Sequence, residues 1–457
     1  MIFGFEKELN ELGELFRQRG GRLFVVGGRV RNTLLGLPVS DTDITSALRP
    51  DVVISLCENA GYRVVLKGIA FGMVEIHAGD KVYEHTTFRS DCYAEGGAHR
   101  PDSVRFSDSP NVDAFRRDFT VNALYADVLT GEIVDPTGGL DDLKRRVIRA
   151  ATKDPRDILG DDGLRIMRLC RFAAELGFDI EEGTLEAAKE CAGLLKDISA
   201  ERIRDELKKI LLSDVKYGLP SDDSVLRGLT LLDGIGALDV ILPELAACRG
   251  VEQSKKYHRY PVLEHMERTT AMSEPNLTLR LACLFHDVAK PIQLENQGNM
   301  HGHDRVGADI TRGILTRLRF DTKTVDDAVW LVARHMFDLD GFAKDSTLKT
   351  RFVHWGRERS YALSLIRDAD FRGSVGERIP VKTADRWRSV LAEMVEKNTP
   401  FSEKELDVTG EEIMERLGIP PSPKIGEIKK ALLAHTAVRP QDNTKEKLLS
   451  IAKDVLK

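Results

Sequence analysis

The chain has 457 residues, of which 42% are hydrophobic and 31% charged, and its formal net charge is −6 at pH 7. This length exceeds that of one ordinary domain, so we expect three or four folded modules. The net acidity argues against a uniformly basic, nucleic-acid-binding surface and leaves room only for local basic grooves.

The six cysteines are spread through the chain without a CxxC pair, which fits neither a disulfide framework nor a zinc ribbon. We therefore expect reduced thiols and a cytoplasmic location. The N-terminus lacks a basic region followed by an apolar run, and no window approaches the roughly 18 apolar residues that a membrane span requires. The sequence predicts a soluble protein without a membrane partner.

The first elements surround a glycine turn. Apolar spacing predicts a helix at residues 6–19 and a strand at residues 23–26. Gly27 and Gly28 follow, and without Cβ atoms their backbone N–H groups can approach a phosphate. Arg31 lies in the short helix that comes next. Alone, a glycine pair more often marks a simple tight turn.

Asp41 and Asp43 lie one residue apart in a second predicted strand. Side chains at i and i+2 of a strand share a face, roughly 6.5–7 Å apart. Two carboxylates at that separation suit a pair of Mg²⁺ ions about 3.5–4 Å apart, the arrangement of in-line phosphoryl transfer. Alone, such an acidic pair is usually a solvated loop, but the order of strand, glycine turn, helix and second strand favours nucleotide chemistry.

Further elements complete a small mixed sheet. The patterns predict a helix at residues 52–60 and strands near residues 63–66, 71–77 and 81–88. Residues 90–105 are rich in Gly, Ser, Asp and Pro and predict a polar loop.

The stretch GGRVRNTLLGLPVSDTDIT at residues 27–45 resembles the signature of polymerase-β-like nucleotidyltransferases, in the branch that contains tRNA CCA-adding enzymes and their poly(A) polymerase relatives. Five later segments resemble successive motifs of that branch: YEHTTFR (83–89), RRDFTVNAL (116–124), DPTGGLDDL (135–143), DDGLRIMRLCRFAAELGF (161–178) and SAERIRDELKKIL (199–211). One departure is Asn32, where family members often have Asp.

The resemblance implies roles for particular residues. Asp41 and Asp43 would hold two Mg²⁺ ions and carry catalysis. Asp118 would accept a hydrogen bond from the ribose 2′-hydroxyl, with a structural Arg–Asp pair as the alternative. The nucleotide-binding residues that it implies are Gly27, Gly28, Arg31, Arg116, Asp118, Asn122, Asp162, Arg165, Arg168 and Arg171.

Base recognition is assigned to one predicted helix, residues 157–178, where Asp162, Arg165 and Arg168 follow at i, i+3 and i+6. Alone, Asp162 and Arg165 could form an exposed ion pair contributing roughly 0.2–0.5 kcal/mol. In the resembled family the corresponding pair recognises C and A, since a carboxylate accepts from an exocyclic amine and a guanidinium donates to the ring. Residues 90–105 would be the loop used for switching to ATP.

The histidines of the C-terminal half resemble those of an HD domain. The implied ligands are His265, His286, Asp287, His303, His335 and Asp370. Imidazole and carboxylate groups suit Mn, Ni, Fe or Zn, and six ligands could hold two ions. Asp368 competes for the last position, and His258 and His301 are expected to be surface or structural residues. The alternative is an HD fold that only supports tRNA.

The sequence therefore predicts an α+β, mostly helical chain whose small mixed-sheet nucleotidyltransferase head (residues 1–148) precedes three helical modules. These are a neck with the base-recognition motif (149–248), an HD domain (249–375) and a tail (376–457). We expect two short helices at the end of the neck and one pair of helices in residues 401–457.

The implied reaction is template-independent addition of CCA to the 3′ end of tRNA from CTP and ATP, with Mg²⁺ in the head. An additional metal-dependent phosphohydrolase activity of the HD domain is also implied, and DNA is not expected as a partner. The alternatives are a tRNA nucleotidyltransferase that adds only A, a poly(A) polymerase, and an HD phosphohydrolase whose head merely binds tRNA.

Overall fold

The computed structural model describes residues 3–92 and 103–456. The chain divides into two compact units, Met1–Ala246 and Ala247–Lys457. The finer division into four modules stays a prediction.

The first unit combines helices with all the strands of the described residues. Its strands are β1 Phe24–Val26, β2 Asp43–Ser46, β3 Arg63–Gly68, β4 Met73–Ala78, β5 Lys81–Thr87, β6 Arg89–Cys92, β7 Ser103–Phe106, β8 Tyr125–Asp127, β9 Ile133–Val134, β10 Val147–Ile148 and β11 Asp179–Ile180. Its helices are α1 Lys7–Gln18, α2 Gly28–Leu35, α3 Pro50–Asn59, α4 Pro110–Phe115, α5 Gly139–Arg145, α6 Pro155–Asp161, α7 Leu164–Leu176, α8 Glu182–Cys191, α9 Ala200–Leu211, α10 Ser213–Tyr217, α11 Arg227–Gly234, α12 Ala237–Ile241 and α13 Pro243–Ala246.

A seven-stranded mixed sheet has the order β3-β4-β5-β2-β1-β8-β9. Strand β2 pairs in parallel with β5 and antiparallel with β1. The register places Asp43 opposite Val26, the last residue of β1. The Asp43 carboxylate therefore emerges where β1 gives way to the glycine turn. The mixed-sheet head predicted from the sequence is confirmed.

Aromatic packing fixes the centre of this sheet. Phe24, Phe88 and Tyr125 are each at most 3% exposed, and their ring centroids lie 5.9–6.3 Å apart. Such tilted and edge-on ring pairs add stabilisation beyond their buried area. This cluster ties β1 to β8 and to the end of β5.

The prediction that Asp41 lies in a strand is wrong. Strand β2 begins only at Asp43, which pairs with Val26, the last residue of β1, and with Glu84 of β5. Asp41 has no ladder partner in either neighbouring strand and lies in the connection after α2. The polar loop predicted at residues 90–105 is also only partly right, since β6 and β7 pair at its two ends. Residues 93–102 lie outside the described residues.

The single helix predicted at residues 157–178 is two helices, α6 and α7. Asp162 interrupts it with an extended backbone, φ −148° and ψ 104°, and its carboxylate accepts the N–H of Leu164 at 3.1 Å. Asp side chains compete with helical hydrogen bonds in this way. Asp162 therefore stands at a joint between helices instead of on a helix face.

The second unit is helical throughout its described residues. Its helices are α14 Val262–Met272, α15 Leu277–Phe285, α16 Lys290–Gln297, α17 His303–Arg317, α18 Thr322–Val332, α19 Asp345–Trp355, α20 Arg357–Val375, α21 Lys382–Glu396, α22 Gly410–Leu417, α23 Pro423–Val438 and α24 Lys445–Leu456. Helix α14 packs against α15 and α20, and α18 packs against α15 and α17. Within the part of the chain that the structure describes, every helix is too short or too polar to cross a membrane.

Two helix counts predicted from the sequence are wrong. The neck ends in several short helices, α10 to α13, instead of two, because Gly218 and Gly236 adopt left-handed conformations that stop helices. Residues 401–456 have three helices, α22 to α24, instead of two. Gly418 ends α22 in the same conformation, and α24 follows a separate turn after Arg439.

Candidate functional site

One cavity of about 530 Å³ in the first unit is lined by all twelve residues predicted for catalysis and nucleotide binding. Eight arginines and one lysine face it, against four aspartates. This local excess of positive charge occurs in a chain whose net charge is −6. A cavity of this kind attracts a polyanionic ligand such as a triphosphate.

The glycine turn forms one wall of this cavity. Gly27 has φ +75°, a left-handed conformation that favours glycine, and its N–H donates to the carbonyl of Leu124 at 3.3 Å. A Cβ there would also lie 3.8 Å from a carboxylate oxygen of Asp43. Gly28 then opens α2, whose N-terminal N–H groups and dipole favour an anion.

Asp41 and Asp43 both face the cavity. Burial raises the pKa of Asp43, and the charges of Glu84 and Asp41 raise it further, while Arg117 opposes them. Two mutually repelling carboxylates with oxygen ligands are a donor set that fits Mg²⁺. A divalent cation between them would relieve their repulsion, so these residues fit the metal that the sequence implied.

Asp118 is enclosed by donors. Arg168 donates to one carboxylate oxygen at 2.9 and 2.5 Å, and Asn122 and the N–H of Phe119 donate to the other at 3.0 and 2.8 Å. Burial alone would raise the pKa of Asp118, but Arg168 and Asn122 lower it to about 2. The Arg–Asp pair considered as the alternative is therefore present. A ribose hydroxyl would donate to a carboxylate that already accepts hydrogen bonds from these groups.

Asp162 and Arg165 are held separately. Arg202 donates to Asp162 at 2.6 Å. Arg165 donates to the carbonyl of Ile158 at 2.6 Å and to that of Arg116 at 3.0 Å. The alternative of a simple ion pair between Asp162 and Arg165 is wrong. Each group is instead fixed by its own partner, which gives the cavity a rigid acceptor and a rigid donor.

Two predicted arginines are neutralised by buried acids. Arg171, 4% exposed, donates to Glu206 at 2.5 Å and to Glu175 at 2.9 Å. Arg116 donates to Asp113 at 2.8 Å. Buried charges that are paired in this way are fixed in place, so both arginines support the cavity wall.

The sequence reasoning missed several residues that line the same cavity. Arg29, Arg117 and Arg202 belong to the motifs already quoted, so their motif positions could have indicated them. Lys216 and Tyr217 on α10 belong to none of those motifs. They reach the site only through the tertiary packing of α10 against α7.

The second unit gathers the six predicted HD-domain residues into two buried groups. His265, His286 and Asp370 form one, and Asp287, His303 and His335 form the other; within each group one potential ligand atom per residue lies within 4.8 Å of the others. The Nε2 atoms of His265 and His286 are 3.0 Å apart, and those of His303 and His335 are 3.1 Å apart.

The second pair of histidines fits a cation. Nδ1 of His303 lies 2.7 Å from the carbonyl of Met300, and Nδ1 of His335 lies 2.7 Å from that of Val332. A carbonyl can only accept, so each Nδ1 carries the proton and each Nε2 carries a lone pair. Two lone pairs facing each other at 3.1 Å repel unless a cation or proton lies between them. Backbone carbonyls that fix the tautomer in this way are typical of metal-binding histidines.

In the first pair only His286 has such a carbonyl partner, and Nδ1 of His265 is buried without a hydrogen bond within the described residues. Nδ1 of His286 lies 2.8 Å from the carbonyl of Cys283. Burial lowers the pKa of His286, but the carboxylates of Asp287 and Asp370 outweigh burial and raise it to about 10. The surroundings of His286 therefore favour a positive charge. A divalent cation can supply that charge in place of a bound proton.

The competition between two aspartates is resolved by their partners. Arg388 donates to Asp368 at 2.6 Å, and Arg372 lies 3.8 Å from it, whereas Asp370 faces His265 at 3.1 Å. His258, expected to be a surface or structural residue, packs its ring on His265 with a centroid distance of 4.8 Å.

A cavity of about 360 Å³ adjoins the six-residue cluster. His303 belongs to both, and Lys290, which lies 2.5 Å from Asp287, faces the cavity. His258 and His301, both expected to be surface or structural residues, line it as well. This cavity gives a ligand access to one edge of the cluster.

Comparisons with known proteins agree with this geometry. The profile of the "Poly A polymerase head domain" family matches residues 23–149, that of the "Probable RNA and SrmB-binding site of polymerase A" matches residues 177–249, and that of the "HD domain" matches residues 258–370. The candidate nucleotide cavity lies mainly in the first of these segments, and the histidine cluster lies in the third.

Two relatives align along most of the chain. An A-adding tRNA nucleotidyltransferase of Deinococcus radiodurans is 34% identical over 89% of this chain and 90% of its own length. A CCA-adding enzyme of Geobacillus stearothermophilus is 29% identical over 97% and 95%. Other CCA-adding enzymes align over about half of this chain.

The crystal structure of the Bacillus stearothermophilus CCA-adding enzyme in complex with CTP superposes with a TM-score of 0.71, at 25% identity over 98% of both chains. The shared fold, the ordered family segments and the full-length relatives lead to one assignment. The chain belongs to the tRNA nucleotidyltransferase family, in which a poly(A) polymerase head is joined to an RNA-binding segment and an HD domain.

Proposed function

We propose that this chain adds CCA to the 3′ end of tRNA without a template, using CTP and ATP. The observation that carries the proposal is the single cavity lined by all twelve residues assigned to catalysis and nucleotide binding. The relatives named as CCA-adding enzymes, one of them crystallised with CTP, support the choice of substrates. A tRNA substrate also agrees with a cytoplasmic location.

Each wall of the cavity has one task in this reaction. The N–H groups at Gly28 and the guanidinium of Arg31 bind the triphosphate. Asp118 accepts a hydrogen bond from the ribose, in addition to those of Arg168. Asp162 accepts from the exocyclic amine of C or A, and Arg165 donates to the ring, so the protein takes the place of a template.

Asp41 and Asp43 would hold Mg²⁺, which when bound activates the attacking 3′-hydroxyl and neutralises the leaving pyrophosphate. Their own contribution is to present carboxylate oxygens at the cavity edge beside the glycine turn. Arg117, which lowers the pKa of Asp43, keeps that carboxylate ionised and available as a ligand. Because burial and neighbouring acids work against ionisation, we expect metal affinity to fall in acid.

The test is extension of a tRNA that ends at its discriminator base, with Mg²⁺, CTP and ATP. Addition of three nucleotides supports the proposal, and Asp41→Ala and Asp43→Ala should abolish extension while the melting temperature stays near that of the wild type. The exposed Asp51→Ala on α3 is the matched control. The proposal would be refuted if neither this tRNA nor one that ends in CC were extended.

A second candidate is addition of the terminal A alone. It is favoured by one observation, the A-adding relative that is 34% identical over 89% of the chain. The same assay separates the candidates. Extension of a tRNA ending in CC with ATP, but of neither the shorter tRNA nor any tRNA with CTP, would assign A addition.

We also propose that the HD domain binds two divalent ions and hydrolyses phosphoesters. The facing lone pairs of His303 and His335 carry this proposal, because that arrangement calls for a cation. Bound ions would supply a hydroxide nucleophile at neutral pH. Lys290 is placed to bind a phosphate in the adjoining cavity, and the six ligands suit Mn, Ni, Fe or Zn.

Metal analysis tests this second activity. Wild-type protein dialysed against Mn²⁺ should retain up to two ions more than His286→Ala, and the exposed His354→Ala on α19 should match the wild type. Hydrolysis of bis(4-nitrophenyl) phosphate should follow the metal content. Equal metal content in the wild type and His286→Ala would refute the metal site and leave tRNA extension untouched.

A further inference from the structure

The carboxamide of Asn32 joins three parts of the nucleotide cavity. Asn32 is 5% exposed, and its Oδ1 accepts from Arg31 Nε at 3.1 Å and from Arg31 Nη2 at 2.9 Å. Its Nδ2 donates to the carbonyl of Pro38 at 2.7 Å and to the hydroxyl of Tyr217 at 3.0 Å. One side chain therefore contacts the triphosphate arginine, the connection that leads to Asp41, and the neck.

The Tyr217 hydroxyl is the distant member of this set. It accepts from Asn32 and, at 3.3 Å, from Arg31 Nη2, across 185 and 186 residues of sequence. Helix α10 is itself anchored, since Lys216 donates to the buried Glu175 at 3.1 Å. The ring of Tyr217 therefore projects from a fixed helix into the head.

Arg31 is oriented by these contacts. It donates to Asn32, to Tyr217 and to Asn122, whose Oδ1 lies 2.5 Å from Nη1, and its guanidinium lies 5.1 Å from the centroid of the Phe172 ring. Burial lowers the pKa of Arg31, and Tyr217 counteracts this. A long, flexible side chain is thereby held in one orientation before any ligand arrives, which reduces the entropy lost on binding.

We propose that Asn32 and Tyr217 are positioning residues that hold Arg31 in the orientation that binds the nucleotide triphosphate. The same clamp fixes the connection from Pro38 to Asp41, so the metal-binding loop and the triphosphate site are set together. This inference rests on the proposed nucleotidyl transfer. It extends that proposal to two residues, one of which departs from the family motif and the other of which lies outside every motif.

In this chain the amide of Asn32 both donates and accepts. A carboxylate has no donor, so Asn32→Asp would place an anionic oxygen against the Pro38 carbonyl, which lies 2.7 Å from Nδ2. The new charge would also hold Arg31 more tightly and compete with the triphosphate. Both effects weaken nucleotide binding without removing any group that touches the reacting atoms.

The test is steady-state extension of a tRNA ending in CC with varied ATP, for the wild type, Tyr217→Phe, Asn32→Asp, Asn32→Leu and the double variant Asn32→Leu/Tyr217→Phe. Tyr217→Phe should raise KM for ATP about three- to ten-fold, the factor for losing one or two hydrogen bonds to charged or amide groups, with kcat changed less than about two-fold. Tyr361→Phe, on the surface of α20 at 45% exposure, is the matched control.

The double variant reports whether the two residues share one task. Since both act on Arg31, its KM should rise by less than the product of the single effects. Asn32→Ser replaces Asn32→Leu if the latter does not fold, as judged by thermal melting. With an active wild type, unchanged KM in Tyr217→Phe, a loss confined to kcat, or multiplicative effects would overturn the inference. An inactive wild type would instead refute the proposed transfer reaction.

Discussion

Replacing Asp118 by Asn isolates the charge of a carboxylate that the fold surrounds with donors. Burial raises the pKa of this carboxylate, but Arg168, Asn122 and the charge of Arg165 outweigh burial and hold the pKa at about 2, against an ordinary value of 3.8. That difference corresponds to about 2.4 kcal/mol of folding free energy at neutral pH, at roughly 1.36 kcal/mol for each pH unit. We expect Asp118→Asn to lower the free energy of unfolding by about this amount. The amide lacks the negative charge of the carboxylate, and it also turns a donor toward Arg168.

The sign of the pH dependence follows from the lowered pKa. Stabilisation by ionised Asp118 is complete above the unfolded-state value of 3.8 and disappears as the pH falls through about 2. At pH 3 roughly 1.3 kcal/mol of it should remain. The free-energy difference between the wild type and Asp118→Asn should therefore shrink by about 1 kcal/mol between pH 7 and pH 3.

Urea unfolding at both pH values measures this difference. The three tryptophans, Trp330, Trp355 and Trp387, all lie in the second unit, so their fluorescence should be unaffected while the circular dichroism transition of the first unit shifts. Asp141→Asn is the matched control, since Asp141 is 77% exposed and its pair with Lys144 should contribute less than about 1 kcal/mol. An equal loss for Asp118→Asn at pH 7 and pH 3 would refute the role of charge.

Three further predictions concern packing and metal. Gly139→Ala should lower the melting temperature of the first unit, because a Cβ would lie 2.2 Å from the carbonyl oxygen of Thr120; an unchanged melting curve would contradict this close approach. Trp387→Ala should cost about 3–5 kcal/mol in urea unfolding of the second unit, since the indole is 1% exposed and donates to Asp338 at 3.1 Å. Chelation of divalent metal should lower the melting temperature of the wild type but not of His335→Ala, and equal shifts would place the stabilising ion elsewhere.

The elements predicted correctly from the sequence are those with a local signal. Helix α1, strand β1 and the turn at Gly27 follow from apolar spacing and from a residue type that a left-handed φ requires. The position of Asp41 could not be predicted in this way, because the start of β2 depends on its pairing with β1 and β5, which lie elsewhere in the chain. Likewise, the break at Asp162 depends on its side chain capturing a backbone N–H, which a helical spacing pattern does not reveal.

The candidate sites show the same limit. The HD-like motifs indicated all six buried residues, but their division into two groups of three depends on how α14, α15, α17, α18 and α20 pack. The choice of Asp370 over Asp368 is decided by Arg388, which follows 20 residues after Asp368 and pairs with it. Tyr217 could not be predicted, since a lone tyrosine on a short helix has no pattern that connects it with Asn32.

The strand order of the sheet has a consequence for how the first unit folds. Strand β1 pairs with β8, joining Phe24 to Asp127, and β2 pairs in parallel with β5, joining Thr45 to Thr86. Such pairings between distant segments form slowly, because the intervening chain must lose entropy first. During synthesis, β1 lacks one of its two neighbouring strands until β8 has been made. Until then the N–H of Gly27 also lacks its acceptor, the carbonyl of Leu124. The Asp43 carboxylate is therefore made early in synthesis, but strand β2, which carries it, should become ordered late.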